Sequence, residues 1–437
     1  MRDIVFVIFF AIIFAISIRK PFISVAIWLW SGLFVPVYWL YGFAESIRYN
    51  LIFAATGIIV YLLYKDKPKV NVDFLFVFVI LFLFHTTLTS ATSLIGHGVA
   101  WIAWENLFKA ILLFVFICLT IRKPNHFNLI LWIIALSIGF FSSVEGLKFI
   151  ASVGGHQIHG PGGHLLSDNN HMALAMLMTI PLFIYLLSAT PEKWLRLGLI
   201  GLIALTVLAV LGTKSRGGFI GLVIVGGYFW YKSNRKILTT LAIMVAVFIA
   251  SNLLQDSWFN RMETIETAEE DSSFNSRVIS WKIHTLMAIK RPFLGGGFRS
   301  TQYGVVWRSL AADFDKLRFI PSPPPSNKAW AAHSIYFQVL GDHGFFGLTI
   351  YLLIICLAFL KLSSIEKYFR NSWQARLSKM IKVSLMAYCV AGAAVSMAYF
   401  ELFYVLLGLI FCLSALQSEA RLQDHKARFT HVRESIA

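Results

Sequence analysis

Arg216 lies in the stretch Gly212-Thr213-Lys214-Ser215-Arg216-Gly217-Gly218, at the junction of two apolar runs. A guanidinium presents a rigid fork of donors that suits phosphate oxygens. Its small neighbours would let the backbone come close to a ligand. The plain alternative is a surface-loop charge. Farther on, Arg277 sits in Ser-Arg-Val-Ile-Ser-Trp-Lys (276–282), where helical spacing puts Arg277 and Trp281 on one face. Lys290, Arg291 and Arg299 flank a Gly-Gly-Gly turn (295–297). Such a cluster suits a lipid diphosphate or, equally, anionic lipid headgroups. The acidic stretch Glu263–Asp271 could pair with some of these cations or be solvated. His333 opens Ala-Ala-His-Ser-Ile-Tyr-Phe-Gln-Val-Leu-Gly-Asp-His-Gly (331–344). A neutral imidazole can accept a proton from a hydroxyl, although spacing alone favours a helix-start histidine that caps or packs. His343, followed by Gly344, reads as a turn residue.

Other polar groups admit structural roles first. Asp168 and Asn170, in Asp168-Asn169-Asn170-His171, are N-cap candidates or polar contacts for a sugar. His156, His159 and His164 lie on a glycine-rich segment, and their spacing matches no closed metal site. Glu105 with Lys109 and Glu145 with Lys148 fall at helical-pair spacing, and ionisable groups in apolar runs also keep a transporter in view. His85 reads as a packed polar contact. Cys118, Cys356, Cys389 and Cys412 lie within apolar runs and form no CxxC pair, so they read as small hydrophobes.

These residues are carried on a strongly apolar chain. Of its 437 residues 58% are hydrophobic and 14% are charged. A soluble domain is nearer a quarter charged. The composition excludes a disulfide scaffold, a disordered chain and an ordinary cytosolic enzyme. Apolar runs fall at 4–18, 22–43, 50–64, 73–92, 100–120, 127–150, 171–188, 195–212, 217–231, 237–254, 345–362, 380–397 and 401–416. Because lipid offers no hydrogen-bond partners, they must be helices. The expected class is therefore an all-α polytopic integral membrane protein with about twelve transmembrane helices, the short first run being a partial or returning segment. No cleavable signal peptide is expected: Arg19-Lys20-Pro21 follows the first run instead of a small-residue cleavage site.

Basic connectors at Arg19-Lys20, Lys65 to Lys69, Arg122-Lys123, Lys193 to Arg196, Lys232 to Lys236 and 361–382 alternate along the chain, as does the charged tail. They are placed in the cytoplasm. The net charge of +16 follows from that bias; scattered over connectors, it does not suggest a nucleic-acid stripe. Arg216 and the late arginines then lie on the outer side, where Lys and Arg are usually depleted, which favours a functional role for Arg216. The expected organisation is an N-terminal helix bundle (1–254), a long outer loop region (255–344) and C-terminal helices with a tail (345–437). A polar stretch of that length suggests a functional element.

In combination these motifs resemble the bacterial O-antigen ligase/polymerase superfamily. The resemblance rests on Ser215-Arg216-Gly217-Gly218 at a helix boundary, Ser276-Arg277-x₃-Trp281 with a Pro292-x-x-Gly295-x-Gly297 turn, and His333-Ser-x-Tyr-x₃-Leu-Gly-Asp-His-Gly-x-x-Gly347 leading into a helix. It spans about 195–410. The start of the chain is similar to exosortase-associated O-glycosylation ligases. The resemblance implies a multi-pass protein of the bacterial inner membrane whose long loop and active site face the periplasm. There, a metal-independent inverting transfer moves O-antigen from undecaprenyl diphosphate to a sugar of lipid A-core, making lipopolysaccharide, with no cofactor. It implies His333 as the base and Arg216 as a diphosphate ligand. Arg277, or else Arg291, would be the second diphosphate ligand. Asp168, Asn170, Lys214 and Arg299 are further substrate-binding candidates. Where the family often has an Asn-Pro-Asn-like element, this chain has Asp168-Asn169-Asn170. An O-antigen polymerase and a protein O-oligosaccharyltransferase remain alternatives within the group, and a transporter or flippase outside it.

Overall fold

The computed structural model describes residues 2–263 and 272–434. The acidic stretch noted above therefore falls, from residue 264 to 271, outside the described residues. The helices are α1 (Arg2–Ser17), α2 (Pro21–Leu33), α3 (Tyr49–Leu63), α4 (Phe74–Ala91), α5 (His97–Thr120), α6 (Pro124–Ile134), α7 (Phe140–Ala151), α8 (Asn169–Ala189), α9 (Lys193–Gly212), α10 (Arg216–Lys232), α11 (Lys236–Leu253), α12 (Asp256–Glu263), α13 (Ser272–Lys290), α14 (Gly304–Ala311), α15 (Ile335–Tyr368), α16 (Trp373–Gly392) and α17 (Glu401–Glu434). No strand occurs among the described residues. Every apolar run of the sequence falls on a helix. Among the described residues eight helical stretches are long and apolar enough to cross a membrane: α4, α5, α6 continued through a π turn (Ala135–Gly139) into α7, α8, α9, α11, α15 and α17. α2 and α3 are shorter apolar helices. The protein is an all-α polytopic membrane protein.

Two boundaries differ from the hydropathy pattern. The run 22–43 is helical only to Leu33; a left-handed Val35 and Pro36 end the helix and two 3₁₀ turns follow. α15 begins at Ile335, ten residues before its apolar run, and so draws the Gly-Asp-His-Gly stretch into a helix. α1 is one continuous helix rather than a returning segment. The Asp3 carboxylate accepts from the amides of Tyr41 and Ala44, which holds the start of α1 beside the α2–α3 connector.

α8 lies at the centre, sheathed by α9, α10 and α16, and most of its residues are buried. Three glycines explain how closely α10 approaches. A Cβ on Gly218 would lie 2.9 Å from Ala173, one on Gly221 2.7 Å from Leu177, and one on Gly217 3.3 Å from Ala394. The small residues after Arg216 therefore serve packing against α8 and α16; the expectation that they open the backbone to a ligand is corrected accordingly. At the end of the bundle that carries His333, α13, α14 and the following turn share a small core of their own, built on Ile283, Met287, Trp307, Leu310 and Leu317.

α15 is broken at Gly344, whose φ of 70° and ψ of −173° no helix allows. A break inside a buried helix leaves amides and carbonyls without partners. The Pro292-x-x-Gly295-x-Gly297 turn supplies them: Gly296 and Gly297 donate to the carbonyls of Gly341 (3.0 Å) and Asp342 (2.9 Å), while Phe345 donates to Pro292 (2.8 Å). Gly295 lies so close that a Cβ would come within 2.6 Å of the His343 amide. His343 is not an exposed turn residue. It is fully buried, bonded through Nδ1 to Thr89 Oγ1 (2.7 Å), and its carbonyl accepts from His85 Nε2 (3.0 Å).

Candidate active site

Four helix junctions meet at one end of the bundle. The α9–α10 turn is three residues long: Lys214 takes a left-handed φ of 53°, and Ser215 caps α10, its Oγ accepting from Gly218 (3.1 Å). Arg216 is thereby fixed as the first residue of α10 and is 9% exposed. The start of α8 is stitched to this turn. Asp168 caps α8 by accepting from the amide of Asn170 (2.8 Å), Ser215 Oγ donates to Asn170 Oδ1 (2.7 Å), and Asn169 Nδ2 donates to the Thr213 carbonyl (2.8 Å). α12 covers this turn, with Arg261 donating to the Lys214 carbonyl (2.9 Å).

His333 enters from the other side. Its φ of 46° is left-handed, a conformation that costs a non-glycine residue of order 1–3 kcal/mol unless its surroundings enforce it. They do. Ser280 Oγ and Trp281 Nε1 of α13 donate to the carbonyls of Ala331 (2.7 Å) and Ala332 (2.8 Å), and the His333 amide donates to Ser396 Oγ (2.8 Å) on the α16–α17 connector. Trp281 also stacks on Phe337 of α15, with centroids 5.1 Å apart and planes 9° from parallel. Ser396 is two residues from Ala394, which touches the start of α10. The histidine is thus held at the end of the bundle where Arg216 lies.

Electrostatics ties the group together. Partial burial lowers the His333 pKa below the ordinary imidazole value, the nearby charge of Arg277 lowers it further, Asp168 opposes, and His171 adds a small lowering. Arg277, Asp168 and His171 therefore lie within electrostatic reach of the imidazole. Burial alone would raise the carboxyl of Asp168, but the charge of His171 and the bonds from Asn170 and His171 hold it below its usual value. The starts of α8, α10 and α15 lie at this end of the bundle, and each carries the positive end of its helix dipole. A histidine biased to the neutral form can accept a proton here, and the buried Arg216 at the same end of the bundle can offset negative charge.

The other candidates are placed elsewhere. Arg291 lies at the break of α15, with Nη2 donating to the Thr92 carbonyl at the end of α4 (3.0 Å). That is ten residues along α15 from His333, on the order of 15 Å, so the fold does not bring Arg291 to the group. Arg299, left-handed at φ 58°, gives its amide to Asp342 Oδ1 (2.9 Å), whose Oδ2 accepts from Tyr399 (2.8 Å). Glu145 bonds Lys148 and His156 (each 2.7 Å), anchoring the glycine-rich connector to α7. Glu105 and Lys109 form an i,i+4 pair of 2.6 Å. Burial pushes His164 down to about 4. Residues with no expected role also enter the site: His171 lies within electrostatic reach of His333, and Trp281, Ser280 and Ser396 fix the backbone around it. Only the position of His171 directly after Asp168-Asn169-Asn170 hinted at this.

Comparison with known families divides the chain in two. Residues 1–190 match a family of unknown function (DUF5935). Residues 201–352 match the family described as O-Antigen ligase. A comparison with curated proteins finds no match. Asp168 and Asn170 belong to the first region and Arg216, Arg277 and His333 to the second, so the two matched regions meet at the site. The second match, over the stretch that carries both arginines and the histidine, supports placing this chain in the O-antigen ligase/polymerase superfamily.

Proposed function

We propose that the protein is an O-antigen ligase of the bacterial inner membrane, transferring glycan from undecaprenyl diphosphate to a sugar of lipid A-core at the periplasmic face. The observation that carries this reading is the meeting of His333, its backbone locked and its imidazole biased to the neutral form, with Arg277, Asp168 and the Arg216 helix start at one end of a membrane bundle. The acceptor hydroxyl oxygen attacks the anomeric carbon as the glycosidic bond to the diphosphate breaks, and the anomer inverts. His333 takes the hydroxyl proton during attack. The bonding electrons leave with undecaprenyl diphosphate, whose growing negative charge Arg216 and Arg277 offset. Fixed cations in a half-buried site act strongly because they need no reorganisation when charge develops. The helix dipoles of α8 and α10 add to that field. Lys214 and Asn170, at the junction of α8 with the α9–α10 turn, are the remaining candidates for contact with the sugars.

The test is reconstitution of the purified protein with an undecaprenyl-diphosphate-linked glycan and lipid A-core. The expected product is glycan-bearing lipid A-core, formed by the wild type and lost in His333→Ala. Longer lipid-linked chains without that product would make the protein a polymerase. Glycan on a Ser/Thr peptide instead would make it a protein O-oligosaccharyltransferase. Movement of the lipid-linked glycan across the bilayer with no new covalent product would replace the enzyme by a flippase.

A further inference from the structure

The transfer reaction gives His171 no task, yet the chain holds its ring in a definite state. The glycine-rich connector before α8 is pinned. The Ile158 amide donates to the Gly212 carbonyl at the end of α9 (2.9 Å), and Gly160 leaves no room for a Cβ against the Leu166 carbonyl. His164 Nδ1 accepts from the Leu166 amide (3.3 Å) and opens the 3₁₀ turn Leu165–Ser167. That turn presents the Leu165 carbonyl to His171, whose Nδ1 lies 2.7 Å from it. A carbonyl only accepts, so Nδ1 carries the proton and Nε2 of the neutral ring is an acceptor. Among the described residues nothing bonds Nε2, and the half-buried ring does not close that nitrogen off. A second open acceptor belongs to the same turn of α8. Asp168 spends Oδ1 on the Asn170 amide (2.8 Å), the Asn170 side chain (3.1 Å) and the His171 amide (3.3 Å), while no described residue bonds its Oδ2.

Two open acceptors in one helical turn call for a ligand that brings donors, and the hydroxyls of a sugar do so. A diphosphate brings none and is repelled by a carboxylate; it belongs with the arginines. His333, Asp168 and His171 lie within electrostatic reach of one another, so a sugar held by this turn is presented to the base. We propose that His171 is a specificity-determining residue of the site, its Nε2 accepting a hydrogen bond from a hydroxyl of the acceptor sugar that neighbours the hydroxyl deprotonated by His333. This rests on the transferase reading. The contact is assigned to the acceptor and not to the donor because the base must reach the acceptor hydroxyl. An acceptor lacking that second hydroxyl leaves Nε2 without its bond, which is how a polar site discriminates between similar sugars.

The test separates the two ring nitrogens by side-chain shape. In His171→Asn the amide nitrogen takes the place of Nδ1 and keeps the bond to Leu165, while nothing reaches the place of Nε2. In His171→Gln the amide oxygen reaches that place. Transfer by the full-length protein is measured in vesicles with an undecaprenyl-diphosphate-linked glycan and lipid A-core, each varied in turn. The Asn variant should keep the melting temperature and raise KM for lipid A-core about three- to tenfold, as the loss of one hydrogen bond implies. KM for the donor should stay unchanged, and the Gln variant should recover much of the loss. Core oligosaccharide freed of lipid A gives a readout without turnover: its affinity, by isothermal titration, should fall by a similar factor in the Asn variant. A KM for lipid A-core and an oligosaccharide affinity both at the wild-type level in that variant overturn the contact and leave the ligase reading standing. So does a rise in KM for the donor alone, or a fall in kcat with both KM values unchanged. A wild type that transfers nothing but binds the oligosaccharide in a His171-dependent way removes the ligase reading and keeps the contact. Absence of both transfer and binding removes both.

Discussion

His333 is required without its proton, and its surroundings already bias it that way. Because partial burial and Arg277 lower its pKa, the acid limb of kcat/KM should lie below the ordinary imidazole value of about 6.5. Activity then holds as pH falls through 6.5 and declines only below it, about tenfold per unit. The two charged neighbours provide a signed check. Asp168 raises the histidine pKa, so Asp168→Asn should move the acid limb to lower pH. Arg277 lowers it, so Arg277→Gln should move the limb of the residual activity to higher pH. Limbs that stay put in both variants would remove His333 as the titrating base. His333→Ala should cost about 10²–10⁴-fold in kcat. The arginines carry a different signature. Arg216→Lys keeps the charge but loses the fork, so it should fall between wild type and Arg216→Ala in kcat/KM for transfer from the lipid diphosphate. Equal activity of the lysine and alanine variants would mean that charge at residue 216 is irrelevant.

At the scale of elements, α13 does the positioning, and its own attachment is pH-sensitive. His284 is fully buried where α13 crosses α15: its Nδ1–H donates to the Ser280 carbonyl (2.8 Å) and its Nε2 accepts from Thr301 Oγ1 (2.8 Å). Gly341 of α15 packs directly on the ring. The neutral form satisfies both nitrogens without placing a charge in the interior. Burial accordingly pushes its pKa down to about 4. Between that value and the unfolded value near 6.5 the folded state binds fewer protons than the unfolded one, so stability is complete above about pH 6.5. It falls as pH drops toward 4, by about 3 kcal/mol from this residue. Thermal melts of the solubilised protein should show that decline, and His284→Gln, less stable at neutral pH, should show a flatter one over the same window. The sequence disclosed α13 as a helix with Arg277 and Trp281 on one face. It did not disclose what Trp281 holds, because the acceptors at Ala331 and Ala332 are backbone carbonyls fifty residues away and leave no trace in side-chain type. The Pro292 to Gly297 turn was legible as a motif, yet its purpose, sealing the broken helix at Gly344, follows only from tertiary pairing. Arg291 misled for a similar reason: its neighbours in sequence matched the site, while the turn that carries it docks on α4.

For the whole molecule, the placement of the apolar helices was legible because the bilayer constrains sequence directly, each apolar run falling at least partly on a helix, and the basic connectors alternate with it. The same alternation predicts the sidedness of the site, which can be measured independently of catalysis. Along the chain, the connectors with Arg122 and Lys67 fall at one end of the rods and the connectors with Lys214 and His333 at the other. If positive charge stays inside, single cysteines at Lys67→Cys and Asn327→Cys, both exposed positions, should report opposite compartments. The native cysteines interfere little: Cys118 and Cys412 are buried, Cys389 is partly buried, and exposed Cys356 lies within the long apolar helix α15, beyond reach of a charged reagent when the bilayer is intact. In spheroplasts a membrane-impermeant maleimide should label Asn327→Cys at once and Lys67→Cys only after lysis. The reverse pattern would put His333 and Arg216 on the cytoplasmic side, where a periplasmic glycan carrier cannot reach them, and would sink the ligase reading even if both residues proved essential. Labelling of both positions before lysis would mean that the rods do not alternate as the charge pattern requires.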